Sequence, residues 1–314
     1  MAVRARSGHT VARRWGRPPA RTVAALVVVL LLVAATVAAP LLAPDNPITL
    51  GSGAFGKPSL HHWLGTDDLG RDVLSRIIYG ARTSLVAALL AVSSGLVLGI
   101  PIGLAAGYLQ GWVDAVLMRI VDTLLAFPAL ILVIAITAAL GPSLTNSMLA
   151  VGVLFAPAIA RLMRAQTLAV RGEQYVEMAG TYGASGLRIT LRHVVPNAIQ
   201  PVLVQASSMF GLALLAEAGL SFLGLGAQPP QPSWGAMLAE AYGFITQSPL
   251  QIVIPGVAIV LSVFAFNALG DYLQDVLDPR RRLASEDKNL PDKEVPPVDF
   301  ESVLIPAPGP EGRR

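Results

Sequence analysis

Six stretches of the sequence are apolar over a length close to the thickness of a lipid bilayer, and they limit the possible folds more than any other feature. They cover residues 23–42, 85–109, 115–140, 148–162, 198–216 and 252–269. A bilayer core of about 30 Å needs roughly 20 apolar residues in a helix, because unpaired backbone groups are not tolerated in hydrocarbon. The stretch at 148–162 is the shortest and contains Arg161 near its end. The pattern predicts an all-α membrane protein with six transmembrane helices.

The composition agrees with a membrane protein and excludes several kinds of site. The chain of 314 residues is 54% hydrophobic and 14% charged, and its mean hydropathy is +0.60, outside the usual balance of a soluble domain. It contains no cysteine, which excludes disulfides, thiolate zinc sites, iron–sulfur clusters and cysteine nucleophiles. The net charge of +3 comes from arginines that flank the apolar stretches, so anionic lipid is a better partner for them than nucleic acid.

These arginines also predict the orientation of the helices, because basic residues concentrate on the cytoplasmic side of a membrane protein. Six precede the first stretch: Arg4, Arg6, Arg13, Arg14, Arg17 and Arg21. With the N-terminus inside, alternation places the segments after the fourth and sixth stretches inside as well. Those two segments are rich in arginine, at Arg164, Arg171, Arg188, Arg192, Arg280, Arg281 and Arg282. We therefore expect both termini in the cytoplasm.

The predicted outer loops agree with this orientation, with one mild exception. Residues 219–249 contain no Lys or Arg. The loop between the first two stretches has four basic residues offset by four aspartates: Lys57, Arg71, Arg76 and Arg82 against Asp45, Asp67, Asp68 and Asp72. An alternative to a retained first transmembrane helix is that the basic start and the apolar run ending in Val37-Ala38-Ala39-Pro40 are a cleaved signal peptide. The run is long enough to span, and cleavage leaves the later helices in the same orientation.

The run Gly51-Ser52-Gly53-Ala54-Phe55-Gly56-Lys57-Pro58 nearly matches a phosphate-binding loop. Such a loop needs Ser or Thr after the lysine to ligate magnesium, and a helix that begins there to point N–H groups at phosphate. Pro58 supplies neither a hydroxyl nor an N–H. We expect a glycine-rich turn outside the membrane, so any ATP that drives this protein is hydrolysed by another chain.

Residues 173–197 form a cytoplasmic segment with two short predicted helices. The first covers 173–181, Gly183 permits the positive φ of a helix end, and Ser185 is a suitable cap for the second helix, which Pro196 is expected to close. Small residues make this segment thin enough to enter a groove of another protein: Ala179, Gly180, Gly183, Ala184 and Gly186. From the residues alone, an amphipathic connector at the membrane interface is an open alternative.

The same segment resembles the EAA loop found in permease subunits of bacterial ABC importers. That pattern is Glu-Ala-Ala, three residues, Gly, nine residues, then Ile, any residue, Leu and Pro. Four residues match it in register, namely Glu177, Ala179, Gly183 and Pro196, whereas Met178, His193 and Val195 depart from it. Residues 61–85, 118–128, 217–235 and 277–280 are similar to the C-type permease of dipeptide, oligopeptide and nickel importers. The resemblance extends over about residues 61–280.

The resemblance implies a fold, a function and a set of partners. The fold is the ABC transmembrane type-1 fold of type I importers, and the coupling contact with an ATPase subunit falls on Glu177, Met178, Ala179, Gly180, Gly183, Ala184 and Pro196. The implied partners are a second, homologous permease in a heterodimer, two ATPase subunits that hold ATP and Mg, and an extracellular or periplasmic substrate-binding protein. The chain is then a non-catalytic subunit of the bacterial plasma membrane, without a cofactor or metal of its own, that translocates di- or oligopeptides.

Composition and resemblance together predict five parts along the chain. Residues 1–21 are a basic cytoplasmic tail, 22–42 the first transmembrane helix and 43–80 an external loop. Residues 81–271 are the permease domain, with five helices and the coupling loop 173–197. Residues 272–314 are a cytoplasmic flank followed by an acidic, proline-rich tail, whose composition is typical of disorder.

Four ionisable residues at or near membrane depth are candidate structural or functional groups. A charge at the bilayer centre costs roughly 2.5–3.5 kcal/mol on insertion scales, so each should face protein or water. Asp114, Arg119 and Asp122 lie near the cytoplasmic start of the third stretch, and the spacing of Arg119 and Asp122 favours a structural ion pair between them. Glu217 directly follows the fifth stretch, near the predicted outer face. It is expected to be either a gate or dock for a binding protein, or a hydrated helix end.

His61 and His62 are expected to be solvated loop residues. Adjacent histidines do not converge on one metal ion without further ligands. The sequence also lacks the Gly-x-Ser-x-Gly and His-Glu-x-x-His patterns of hydrolytic sites. Nothing in the chain therefore predicts catalysis.

Three alternatives to a peptide permease remain. A nickel or other solute importer has the same family pattern, and selectivity is expected largely in the separate binding protein. A secondary transporter driven by an ion gradient should have acidic residues at mid-membrane or broken helices in matched halves, and the second, fourth and sixth stretches contain no such acids. A membrane anchor for an enzyme has no need of the coupling segment.

Overall fold

The computed structural model describes residues 20–51 and 53–277 and contains helices but no β-strand within them, which confirms the predicted all-α class. The helices are α1 Ala20–Val37, α2 Ala39–Leu42, α3 Val73–Leu109, α4 Gly111–Ala126, α5 Ala129–Leu140, α6 Leu144–Arg171, α7 Gln174–Thr181, α8 Gly186–Ile189, α9 Val195–Phe222, α10 Trp234–Tyr242 and α11 Leu250–Leu277. The described residues from Ala20 to Gln274 belong to one compact unit. The predicted basic arm before Ala20 and the acidic tail after Leu277 lie outside the described residues.

Five helical segments are each long and apolar enough to cross a bilayer: α1, α3, α6, the continuous run Gly186–Phe222, and α11. The pair α4 and α5 qualifies as a sixth if it counts as one span. α3, α6, α9 and α11 extend beyond the apolar stretches of the sequence, whereas the first stretch, predicted as one helix over 22–42, is divided at Ala38 into α1 and α2. α3 begins at Val73 because the Asp72 side chain caps it, accepting the Ser75 backbone N–H at 2.7 Å.

The third apolar stretch, predicted as one helix over residues 115–140, is broken in the structure. α4 and α5 meet at an angle of 96°. Phe127, between them, has extended backbone with φ −80° and ψ 138°, because the ring of the following Pro128 disfavours a helical conformation there. Pro128 also lacks the N–H that would continue the helical hydrogen bonds. The straight span expected from hydropathy is therefore wrong.

α3 and α6 pack so closely that their backbones touch. Four glycines recur every fourth residue along one face of α3: Gly95, Gly99, Gly103 and Gly107. A Cβ atom at Gly99 would lie 2.7 Å from the Ala156 carbonyl oxygen, and one at Gly103 would overlap the carbonyl oxygen of Ala160. Between helices in a membrane, close van der Waals packing of this kind is the main attraction. This row of four glycines, called the glycine seam below, thus holds together the two helices at the centre of the fold.

The N-terminal part of α3 and the C-terminal part of α9 are joined through α10. Trp234 is fully buried and donates its indole N–H to the Ile77 carbonyl at 3.1 Å. Its backbone N–H donates to Ser84 Oγ at 3.2 Å. The next residue, Gly235, lies against α9, where a Cβ atom would come within 2.5 Å of the Ala218 Cα.

The loop between α2 and α3 folds against α10 and α11. Thr66 holds it in place, since its hydroxyl contacts the Gly53 carbonyl and its own carbonyl accepts the side-chain amide of Gln251 at 3.0 Å. Residues 53–58 form a turn followed by irregular backbone, and no helix begins after Lys57. The run that resembles a phosphate loop is therefore a glycine-rich turn, as predicted.

The glycine seam predicts a large effect for a single added methyl group. Gly103→Ala should destabilise the chain by about 1–3 kcal/mol through overpacking against Ala160, measured as a lower thermal midpoint of the full chain in detergent. Gly256→Ala on α11 is the control, because nothing lies within 4 Å of a Cβ atom there, and alanine favours a helix by about 1 kcal/mol. Equal midpoints for the two variants would contradict the packing described.

Candidate functional site

The predicted coupling segment folds as α7, a tight turn and α8. Gly183 has a φ of +81°, and the Ala184 N–H donates to the Ala179 carbonyl at 3.1 Å. A positive φ and a hydrogen bond across six residues are the features of a Schellman helix end, so Gly183 ends α7 as predicted. Ser185 occupies the N-cap position of α8, but its side chain makes no capping hydrogen bond; the predicted cap is wrong in that respect.

Pro196 does not close the second helix, contrary to the prediction. The helix continues from Gly186 to Phe222, with a π-helical turn over Thr190–Val194. The Val195 N–H donates to the Thr190 carbonyl, and Pro196 follows in the first turn of α9, where a missing N–H is tolerated. The coupling segment is therefore joined to a membrane helix without an intervening loop.

Most predicted coupling residues lie on the outside of this segment. Val176, Ile189 and Val194 are buried and anchor the segment to the rest of the chain. The predicted residues are exposed at Glu177, Met178, Gly180, Gly183 and Pro196, and half-buried at Ala179 and Ala184. These residues are thus accessible to a partner along α7, the turn after it and the start of α9.

Three large apolar side chains of the same segment are also exposed, and they were not predicted from the sequence. Tyr182 is 85% exposed, Leu187 71% and Leu191 60%. Clustered exposed apolar side chains are typical of interaction surfaces. The signal in the sequence was the i, i+4 spacing of Leu187 and Leu191, which places them on one face, away from the buried Ile189.

Tyr108 joins the ends of α3 and α6 to the start of α8. Its carbonyl accepts a hydrogen bond from the Arg171 guanidinium at 2.5 Å, and that guanidinium lies 5.3 Å from the centre of the Tyr108 ring, within cation–π range. A Cβ atom at Gly186 would lie 3.0 Å from the Tyr108 hydroxyl oxygen. This cluster fixes the position of the coupling segment relative to two membrane helices.

The acidic residues of α4 pair with α6, and the predicted Arg119–Asp122 ion pair does not form. Arg164 binds Asp114 with two hydrogen bonds of 2.5 and 2.6 Å, and Arg161 binds Asp122 at 2.6 Å. Arg119 forms no ion pair with any described residue. The arginines of α6 reach across to α4 because the bend at Phe127 brings α4 alongside them, and hydropathy did not predict that bend.

Glu217 is buried, so the prediction of a hydrated helix end is wrong. Its residue is 1% exposed, and α9 continues past it to Phe222. One carboxylate oxygen accepts the Ser84 hydroxyl of α3 at 2.9 Å, and the other accepts the Ser221 hydroxyl at 2.8 Å. Ser84 in turn accepts the Trp234 N–H, so Glu217 links α9 to α3 and α10. The predicted role as a gate or dock stays untested.

The loop between α2 and α3 and the start of α3 contain a buried network of charged side chains. From the sequence, only the equal numbers of basic and acidic residues in this region were evident. Arg71 and Arg76 each donate to Asp67 Oδ2 at 2.6 Å and to Glu240 Oε2 at 2.9 and 2.8 Å. Both arginines and Asp67 are buried. The network attaches the loop to α10, and it neutralises these two arginines, so they do not argue against the predicted outer location of the loop.

His61 is exposed, as predicted, but His62 is half-buried between two aspartates. His62 Nδ1 lies 3.1 Å from Asp72 Oδ1 and 3.7 Å from Asp45 Oδ2. One potential ligand atom from each of these three residues lies within 4.8 Å of the others. Asp72 also caps α3, so hydrogen bonding alone accounts for the arrangement.

The middle and C-terminal helices match a known family of transport proteins. Residues 99–283 fit the model of the binding-protein-dependent transport system inner membrane component. The chain belongs to this family. The match includes the coupling segment, both α4–α6 ion pairs and Glu217, whereas the outer loop and the start of α3 precede it.

Relatives in this family confirm the resemblance drawn from the sequence motifs. The dipeptide transport system permease protein DppC of Alkalihalophilus pseudofirmus is 45% identical over 225 residues, which cover 72% of this chain and 74% of that protein. The glutathione transport system permease protein GsiD of Pectobacterium atrosepticum is 46% identical over 223 residues, 71% of this chain and 74% of that protein. The chain is thus a transport permease with several membrane helices.

Two solved structures have the same fold at low sequence identity. The inward-facing MetNI methionine ABC transporter matches with a TM-score of 0.55 and 18% identity, over 65% of this chain and 96% of that chain. An amino acid ABC transporter crystallised with histidines matches with a TM-score of 0.52 and 17% identity, over 65% and 94%. These matches support the predicted importer-type permease fold, while the number of spans and the orientation stay predictions.

The burial of Glu217 predicts a clear difference between two substitutions. Glu217→Ala removes the acceptor of both Ser84 and Ser221 inside the protein, at a cost of about 1–3 kcal/mol for each donor left unpaired. Glu217→Gln keeps the shape and both contacts, because a serine hydroxyl can donate or accept. Thermal midpoints of the full chain in one detergent should therefore fall sharply for the alanine variant only. Matching midpoints for the two variants would show that the contacts to Glu217 contribute nothing.

Proposed function

We propose that this chain is the membrane permease subunit of an ATP-driven importer that moves short peptides across the bacterial plasma membrane. The observation that carries the proposal is the exposed coupling segment at the end of a continuous membrane helix, in a chain of the binding-protein-dependent family. Relatives at 45–46% identity are named for dipeptide and glutathione transport, and both solutes are short peptides. A peptide is therefore the best-supported cargo.

In this proposal the chain has six spans and both termini in the cytoplasm. α4 and α5 together form the third span, so that α7 and α8 lie inside and the loop between α2 and α3 lies outside. The positive-inside rule supports this arrangement, because Arg161, Arg164 and Arg171 occupy one end of α6. The five predicted parts of the chain, 1–21, 22–42, 43–80, 81–271 and 272–314, keep their proposed roles.

The proposed mechanism is mechanical. A helix of 37 residues, Gly186–Phe222, is about 55 Å long at 1.5 Å per residue, longer than the bilayer core. A displacement of the coupling surface is thus transmitted along one helix to Glu217, which is hydrogen-bonded to α3 at the outer end. Such rigid-body motion converts an inward-open state to an outward-open one when the energy comes from ATP-driven closure of partner subunits.

The partners proposed for this mechanism are those of the importer family. Two ATPase subunits hold ATP and Mg and contact the surface formed by Glu177, Met178, Ala179, Gly180, Gly183, Ala184 and Pro196. A second, homologous permease completes the pathway, and an external binding protein delivers the peptide. This chain contributes movement and no catalytic group.

Gly180 offers a test of the docking surface. Gly180→Trp places a large ring on the exposed face of α7, where the backbone is helical and the nearest side-chain atom to a Cβ is 3.8 Å away. We expect normal membrane insertion and stability but loss of peptide-stimulated ATP hydrolysis and uptake in the assembled importer, because the ring cannot enter the partner's groove. Gly180→Ala is the matched control and should retain uptake. Full uptake by the tryptophan variant would exclude docking at this surface.

The absence of cysteine allows a direct test of orientation with single introduced cysteines. Tyr182→Cys on the coupling surface and Leu60→Cys on the outer loop are both at highly exposed positions. A thiol reagent that does not cross membranes should label Leu60→Cys in intact cells without an outer membrane, and Tyr182→Cys only after the cells are opened. Labelling of Tyr182→Cys in intact cells would refute the proposed topology.

A further inference from the structure

A cavity of about 890 Å³ opens at the outer end of the chain. Its walls are Pro40 and residues 43–48, one face of α3 from Tyr79 to Leu90, the start of α6 at Leu144 and Thr145, and residues 231–232. The volume is within the range of about 300–1,000 Å³ of small-molecule sites in proteins. The lining combines apolar groups such as Val86 and Leu90 with polar ones, among them Asp45, Arg82 and Thr145.

Arg82 is a charged residue of the cavity lining that has no charged or hydrogen-bonding partner among the described residues. It is exposed and makes no ion pair or hydrogen bond with any described residue. The two other arginines of this outer region are buried and neutralised, since Arg71 and Arg76 both bind Asp67 and Glu240. The guanidinium of Arg82 thus keeps all its N–H donors for a ligand, and a guanidinium matches a carboxylate with two parallel hydrogen bonds.

Asp45 contributes the opposite charge from a different wall. Its side chain is 53% exposed, and its Oδ2 atom lies 3.7 Å from His62 Nδ1. Its backbone N–H is fixed by Ser75 Oγ at 3.0 Å, so the residue has a defined position although its carboxylate is partly free. The cavity therefore carries one cation on α3 and one anion on the loop that faces it.

We propose that this cavity binds a short, unblocked peptide as a zwitterion, with the terminal carboxylate on Arg82 and the terminal ammonium group toward Asp45. The identity of the ligand as a peptide rests on the proposed function, whereas the recognition of a carboxylate rests on Arg82 alone. The apolar lining at Val86 and Leu90 accommodates the side chains of the peptide without specific hydrogen bonds. The permease itself then makes a contact with cargo outside the membrane, before any movement of the helices.

The charge of the cavity is tested first, independently of transport. Thr145→Cys introduces a thiol into the cavity of a chain that has no other. In the purified full chain in nanodiscs, this thiol is reacted with a sulfonate-bearing and with a trimethylammonium-bearing methanethiosulfonate, and each rate is divided by the rate of the same reagent with free cysteine. Adding Arg82→Ala should slow the sulfonate reagent about fivefold, the effect of one charge at close range in water. Lys57→Ala, which removes an outer lysine away from the cavity lining, is the control and should leave both rates unchanged.

Ligand binding is tested by protection of the same thiol. Dialanine should slow the labelling of Thr145→Cys, dialanine amide should protect far less because it lacks the carboxylate, and Arg82→Ala should abolish protection by dialanine. Arg82→Lys keeps the charge and should recover part of the protection. Absence of protection, equal protection by dialanine and its amide, or protection only when a binding protein is added would overturn the inference.

The two proposals fail in different ways. If dialanine protects the thiol but the assembled importer takes up no peptide with ATP, the cavity inference stands and the proposed function falls. If ATP-driven uptake proceeds and is unaffected by Arg82→Ala, while dialanine gives no protection, the proposed function stands and the cavity inference falls.

Discussion

The contact between the backbones of α3 and α6 is the constraint on which the other parts of the structure depend. Because glycines at every fourth position let the two helices touch, the remaining helices have a fixed frame to pack on. Tyr108 and Arg171, at one end of this pair, hold the coupling segment. Ser84, near the other end of α3, holds Glu217 of α9. Both ends of the proposed movement are thus attached to α3.

Much of the fold followed from residue type and spacing. Apolar length predicted the helices, and the need for a positive φ predicted that α7 ends at Gly183. The errors in charge pairing have a common physical origin, because partners were chosen by closeness in the sequence. Asp122 pairs with Arg161 across two helices, and Arg71 with Glu240, 169 residues away. Local spacing contains no information about such contacts, which arise only once the helices have packed.

The candidate site was predictable to a similar degree. The EAA motif pointed to a segment that the structure leaves largely exposed, and its coupling role stays a prediction. The motif said nothing of Tyr182 or Leu187, whose exposure depends on how α7 and α8 pack against Tyr108 and the buried Val176. Pro196 was misjudged because proline is tolerated in the first turn of an α-helical segment, where its missing N–H removes no hydrogen bond. After the π turn of Thr190–Val194 it stands at the start of α9, so the segment and the span are one helix.

The break at Pro128 leaves α5 only 12 residues long, about 18 Å at 1.5 Å per residue. In the proposed orientation its N-terminal end therefore stops partway through the hydrocarbon. The first N–H groups of any helix have no acceptor within that helix, and Pro128 makes no side-chain cap for them. Lipid tails offer no acceptor either, so this half-length helix has to begin against water or against carbonyl groups of a neighbouring chain.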